Sequence, residues 1–310
     1  MTATLDPFVL ERAPGPVVDL DPAVLRARAA LNGALARMGR IDDSALTYAW
    51  AWDGNAVDVR YGFYRMLELL EAATSQASRA MTGSASSEAR DAVAATTVAR
   101  WELHGILATL AEADLDADPG GGEWTIRQTL GHIIGGQRGY AWGSAYWLSV
   151  RDQPRPAGSW RAPEELFAGM PSDDDEAAGT LADVRARLDD VLDGTSSRYA
   201  TLTTDEMGVM GGWSGFPVTL RFRMWRWPSH IEEHTVQVEK TLDMLGRRQT
   251  EVQRLVRLIA RAFGRLEATA FGRSPESESA AVFDDVASAA SQLAQSLESA
   301  VAAAVPAPDW

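Results

Sequence analysis

Residues 225–242 read WRWPSHIEEHTVQVEKTL and place His230 and His234 four positions apart. On an α-helix, side chains at i and i+4 share one face about 5–6 Å apart, so the two imidazoles can offer nitrogens to a single cation. Two nitrogens seldom make a site, and an isolated pair reads equally well as ordinary core or surface histidines. The chain has four histidines in all, so a third ligand would be His132 or His104. His132 lies in WTIRQTLGHIIGGQRGYAWG, where glycine stands at 131, 135, 136, 139 and 143. Glycine within a helix costs roughly 0.5–1 kcal/mol relative to alanine, so five in one helix require a compensating reason. Close approach of a neighbouring helix is one; space beside the imidazole for a ligand is another. His104, between Trp101 and Leu107, reads as a hydrogen-bonded core or surface histidine.

Three neutral imidazoles leave a tetrahedral ion an open position, the arrangement of a working site. Water bound there has its pKa brought toward about 7, and a bound thiol is held as thiolate. Either way a nucleophile results. Gln237 shares the face of His234 and is placed to orient it. Arg226, one turn before His230, forms with Arg221 and Arg223 a cationic patch suited to a carboxylate, unless these arginines are taken up in surface ion pairs. Trp213, Trp225 and Trp227 either wall a pocket or belong to the core. His230, Glu233 and His234 also match the inverted zinc-peptidase pattern, in which the glutamate is general base. Such enzymes use a carboxylate third ligand and a sheet-containing fold, and the sequence offers neither a clear strand nor the flanking pattern. A hydrolase that works through metal-bound water without Glu233 stays open.

Helices must position these residues. Asp21-Pro22 starts a first helix through Met38; residues 56–80 form a second, ended by TGSASS. A third spans about 86–114, a fourth runs from near Trp124 to about 150, and a fifth covers about 180–204. The connection 152–179, rich in Pro, Gly and Asp, is a lid over a site or a surface loop. MGVMGGWSGFP is read as a loop into 219–246, where Leu220, Phe222 and Met224 alternate with arginine and tryptophan in the strand period; a helix kinked or started at Pro228 is preferred. An amphipathic helix follows at 250–271, and Ser274-Pro275-Glu276 caps a last one through Val301. No parallel-sheet pattern appears, which makes the chain all-α. VRYGFYRML (59–67) can be laid over IRQTLGHII (126–134), an echo in which Arg65 stands where His132 stands.

The chain has 310 residues, enough for two compact units or one large helical one. Its net charge of −14 disfavours nucleic acid and anionic lipid as partners. No apolar run of about 18 residues suggests a membrane span, and MTATLDPFVLERAPGP does not read as a secretory signal, so a cytoplasmic protein is expected. Cysteine is absent, so thiol chemistry needs a thiol from outside; Lys240 is the single lysine.

The order Trp124, His132 in an LGHI context, then His230-Ile-Glu-Glu-His234 with Gln237 and KTLDMLG, resembles the DinB-like superfamily of up-down four-helix bundles. The likeness covers roughly 86–248 and is most specific in EEHTVQVEKTL. It implies a divalent metal site formed by His132, His230 and His234, zinc first with nickel or iron as alternatives. The flanking helices are additions to that bundle, so three regions are expected: an N-terminal helix pair (1–83), the metal-binding bundle (84–248) and a C-terminal helix pair (249–310); if the internal echo is real, the outer pairs form a second bundle that has lost its histidine. Many members are transferases or isomerases that use bacillithiol, mycothiol or glutathione. The expected function is therefore a metal-dependent transferase with a mycothiol-like thiol and an electrophile as partners, with Gln237 and Arg226 as catalytic residues and a homodimer as one possible assembly. A metal-dependent hydrolase and a non-catalytic metal- or ligand-binding stress protein are the alternatives. Sulfoxide synthases that pair such a bundle with a large catalytic domain are set aside, because 249–310 holds only two helices.

Overall fold

The computed structural model describes residues 20–80, 87–153, 160–271 and 277–307. The helices are α1 (Pro22–Met38), α2 (Val59–Ala80), α3 (Glu88–Leu107), α4 (Ile126–Ser149), α5 (Asp173–Ala177), α6 (Leu181–Tyr199), α7 (Thr204–Met207), α8 (Leu220–Met244), α9 (Glu251–Ala268) and α10 (Ser277–Ala303). Two hairpins interrupt them, β1 (Ala49–Trp52) with β2 (Asn55–Asp58) and β3 (Met210–Trp213) with β4 (Phe216–Thr219). The chain is thus mostly α-helical, as expected. Among the described residues no helix is long and apolar enough to cross a membrane. The TGSASS break, apart from Ser87, and the Ser274–Glu276 cap lie outside the described residues.

The chain forms two compact units. The described part of the first is 87–96 and 112–245 without 154–159; that of the second is 20–80, 97–111, 246–271 and 277–307. The division falls inside α3, whereas the sequence reading keeps that helix whole within 84–248.

In the first unit, α4 opens on a capping box: Gln128 N donates to the Thr125 hydroxyl at 3.2 Å and Thr125 N to Gln128 Oε1 at 2.9 Å. It packs on α5, α6 and α8. Leu130, Ile133 and Ile134 of α4 are buried, as are Val184 and Leu188 of α6 and Met224, Trp227 and Ile231 of α8. Arg221 of α8 is tied to Glu88 of α3 by Nε contacts of 2.7 and 2.6 Å.

The stretch read as a loop before α8 is the β3–β4 hairpin. It turns through Ser214 and Gly215 at φ 48° and 91°, the pair of positive angles that a tight two-residue hairpin turn demands. α8 then begins at Leu220, capped by Thr219, well before Pro228. The strand-like alternation misleads because burial follows the helical period: Leu220, Arg223, Met224 and Trp227 are buried, Phe222 and Trp225 exposed. A proline inside a helix costs about 3 kcal/mol through its missing donor and ring clash. Here the packed face on both sides of Pro228 holds the helix, and Gln137 Nε2 of α4 donates to the neighbouring Trp227 carbonyl at 3.1 Å.

In the second unit, α1 and α2 pack on α10 and on α9, a second four-helix arrangement. Asp21 caps α1 by accepting from Ala23 N at 2.7 Å, with Pro22 in the first turn as expected. Glu267 is fully buried and paired with Arg28 and Arg100. This unit repeats part of the first. Trp52, Gly54, Val57, Arg60, Arg65, Glu71, Thr74 and Gln76 recur in order and spacing as Trp213, Gly215, Val218, Arg221, Arg226, Glu232, Thr235 and Gln237. The geometry recurs as well. Asp53 and Ser214 share φ 48° at the hairpin turns. Val59 N donates to Tyr48 O at 2.9 Å and Leu220 N to Val209 O at 2.8 Å. Arg60 pairs with Glu251 at 2.6 Å, at the start of α9, as Arg221 does with Glu88 at the start of α3. α2 therefore corresponds to α8 and not to α4, and Arg65 stands where Arg226 stands, not where His132 does. The positions of His230 and His234 are held by Leu69 and Ala73.

Candidate metal centre

α4 supplies His132 and α8 supplies His230 and His234, and one ring nitrogen from each lies within 4.8 Å of the other two. Ring centroids are 4.4 Å apart for His230–His234, 4.8 Å for His132–His234 and 5.2 Å for His132–His230. The glycine ridge of α4 makes this possible. A Cβ at Gly136 would sit 2.6 Å from His230 Cε1, so only glycine admits the imidazole from the facing helix. At Gly143 the same space takes the Arg223 guanidinium, and at Gly131 and Gly135 it takes the backbone and side chain of Asp173 on α5. Both readings of the ridge thus hold: it permits close packing, and what packs there is the site.

The outer contacts orient the rings. Asp173 Oδ2 lies 3.1 Å from His132 Nδ1, and Gln237 Oε1 lies 2.7 Å from His234 Nδ1. An acceptor on Nδ1 keeps the proton there and leaves Nε2 with a lone pair, the usual support of a metal-ligating histidine. α5 is held in turn by buried Glu176, which pairs with Arg138, and by Arg127 Nη1, which donates to the Ala177 and Gly179 carbonyls at 2.8 Å each. Burial, and then the neighbouring His234 and His132, push the His230 pKa down to about 3. Burial also lowers that of His234. Neutral imidazoles are what a cation requires. His230 Nδ1 is buried without a hydrogen-bond partner, a vacancy that suits a cation nearby. The donor set therefore fits a divalent transition metal, and this group can hold one.

Beside the histidines opens a cavity of about 470 Å³, lined among others by His132, Tyr140, Trp213, Phe167, Met170 and Arg223. The described part of the 152–179 connection forms one wall through Trp160, Arg161, Phe167 and Met170. Of the three tryptophans singled out, Trp213 lines the cavity, Trp227 is core and Trp225 is 40% exposed with its indole N–H on Glu88. The arginine patch divides likewise. Arg221 is taken up by Glu88, and Arg226 grips Glu233 with two contacts of 2.6 and 3.0 Å. Arg223 is 6% exposed, donates to the Gly212 carbonyl, leaves its Nε unpartnered and faces the cavity. Burial lowers its pKa to about 10, so it stays charged at neutral pH.

Residues 95–238 match the model of the DinB superfamily. Over this segment the chain belongs to the DinB superfamily. All three histidines of the cluster, with Gln237, fall inside the DinB segment. No curated protein and no solved structure matches the chain.

Gln237 reaches the DinB site through His234, and Arg226 reaches it as the partner of Glu233. That ion pair holds the Glu233 pKa below the usual carboxylate range, which opposes the role of general base that the inverted zinc-peptidase pattern would give it. His104 lies in the second unit, fully buried with its ring edge-on to Trp101 at 5.4 Å. Two site residues escaped the sequence reading. Asp173 comes from a distant loop, and nothing in DDDEA distinguishes it from a solvated acidic run. Tyr140, whose ring lies 5.2 Å from that of His230, was findable, because 132, 136 and 140 share one face of α4.

Proposed function

We propose that the DinB segment is a metal-dependent transferase that moves a low-molecular-weight thiol, mycothiol-like, onto a carboxylate-bearing electrophile. The observation that carries this reading is the three-imidazole cluster at the mouth of an apolar cavity with one buried arginine facing it. A divalent ion, zinc by preference, held by His132, His230 and His234 would supply there a Lewis acid that lowers the pKa of a thiol.

The chain's own residues do the rest. His132, His230 and His234 present lone pairs, with Asp173 and Gln237 fixing two of the rings. Arg223 receives the carboxylate of the electrophile on its open edge, and the aromatic walls exclude water from the reacting atoms. Tyr140 keeps its proton, because burial raises its pKa, and its hydroxyl neighbours Arg226. It is therefore placed to donate a hydrogen bond to the charge that develops on the electrophile. The absence of cysteine leaves no thiol of the protein to compete for the ion. The expected setting is the cytoplasm.

The test is consumption of mycothiol by the zinc-loaded protein in the presence of electrophiles that carry a carboxylate. Turnover that falls at least a hundredfold in His132→Ala, with KM for the electrophile raised in Arg223→Met, supports the reading. Metal binding without turnover of any thiol would leave a binding protein in its place.

A further inference from the structure

We propose that the second unit carries a ligand site of its own, which binds an uncharged, largely apolar small molecule without a metal. It rests on the second unit alone and stands or falls independently of the transferase reading. A cavity of about 690 Å³ opens between the β1–β2 hairpin, α2 and α10. That size lies within the range of small-molecule sites. It shares the hairpin wall of the metal cavity in the repeat: Ala51 and Trp52 that line it correspond to Gly212 and Trp213 that line the other, and its Leu69 stands at the position of the metal-site His230.

The replacements specify the ligand. With leucine at 69 and alanine at 73, α2 offers no nitrogen where α8 offers two, so the site lacks the imidazole hold on a metal ion. The walls are apolar and aromatic, Trp50 and Trp52 stacking at 5.7 Å between ring centroids beside Leu69 and Leu293. Arg65 is the charge that corresponds to Arg226, but it is neutralised in place by Glu68 and lies over the Trp52 ring at 4.5 Å. The pair carries no net charge, so an ion entering the cavity would lose its hydration with no surplus counter-charge to offset the loss. One donor is left over: Arg65 Nε is buried with no hydrogen-bond partner. The Trp50 indole N–H, by contrast, is already satisfied by Ser296 Oγ at 2.8 Å. The fitting ligand is an aromatic or alicyclic molecule without net charge that carries one acceptor for Arg65.

The probe is N-phenyl-1-naphthylamine titrated into the full-length protein by fluorescence, with its sulfonated analogue 1-anilinonaphthalene-8-sulfonate as the charged comparison. The variants are Leu69→Trp and Ala72→Trp, which fill this cavity from two positions, and Gly139→Trp, which fills the cavity beside the histidines. Circular dichroism melts accompany each, and Ala72 is exposed, so its variant is expected to fold. The expected result is saturable binding of the neutral probe near one per chain, weakened at least tenfold in Leu69→Trp and Ala72→Trp and unchanged in Gly139→Trp, with the sulfonate weaker. Absence of saturable binding overturns the proposal. So does binding that survives both filling variants, binding lost in Gly139→Trp instead, or tighter binding of the sulfonate.

Discussion

The His230 imidazole lies against the backbone of Gly136, where a single added carbon would stand 2.6 Å from Cε1. Gly136→Ala therefore separates site from scaffold. Alanine favours the helix by roughly 0.5–1 kcal/mol, while the displaced ring loses its place beside His132. The expected outcome is an unchanged or slightly raised melting temperature with at least tenfold weaker zinc binding. Calorimetry of both quantities on one sample checks it, and equal zinc affinity in variant and wild type would deny the role given to the glycine.

Asp173 and Gln237 act on the cation through the rings they hold. Loss of such supports typically weakens metal affinity by about 10–100-fold. Asp173→Ala and Gln237→Ala are each expected to do so in a competition titration against a chelator, with the secondary structure by circular dichroism unaltered.

The carboxylate of Glu267 is fully buried between Arg28 and Arg100. Glu267→Ala takes away the countercharge of two guanidiniums, a change that costs about 3–5 kcal/mol. Urea unfolding should show a loss of that size in the second unit's transition, and zinc bound by the first unit should persist at urea concentrations below it.

His230 gives a pH dependence of stated sign. The folded state holds its pKa down to about 3, whereas an unfolded chain takes the proton near 6.5. Its contribution is therefore intact above about pH 6.5 and is lost as pH falls toward 3, by at most about 1.4 kcal/mol per pH unit from this one group. The metal-free protein should lose stability over that window. His230→Leu, which copies Leu69 of the repeat, should lose less; parallel pH profiles for the two would contradict the assignment.

The helices and the histidine pair were legible because both follow from one period: apolar residues and imidazoles recur at helical spacing along α4 and α8. His132 was reached through the resemblance and the glycines around it, and those same glycines explain why a second helix can bring its imidazole so near. The hairpins were not legible as strands, since each strand is only four residues long and MGGW and FPVT are besides glycine-rich or proline-broken. Their turns are legible, in Asp53-Gly54 and Ser214-Gly215. With those turns as the anchor α2 aligns with α8; apolar positions and one arginine alone align the helix of Arg65 with that of His132, because any two amphipathic helices share that period. Asp173 could not have been found, because its partner lies on another element and no local period marks it.

The most direct test of the central claim is elemental analysis of the purified full-length protein, wild type beside His132→Ala, His230→Ala and His234→Ala. The account predicts about one divalent transition metal ion per wild-type chain and its loss from each variant, with all of them folded. Equal trace metal in wild type and variants, or full occupancy retained without His132, would contradict it.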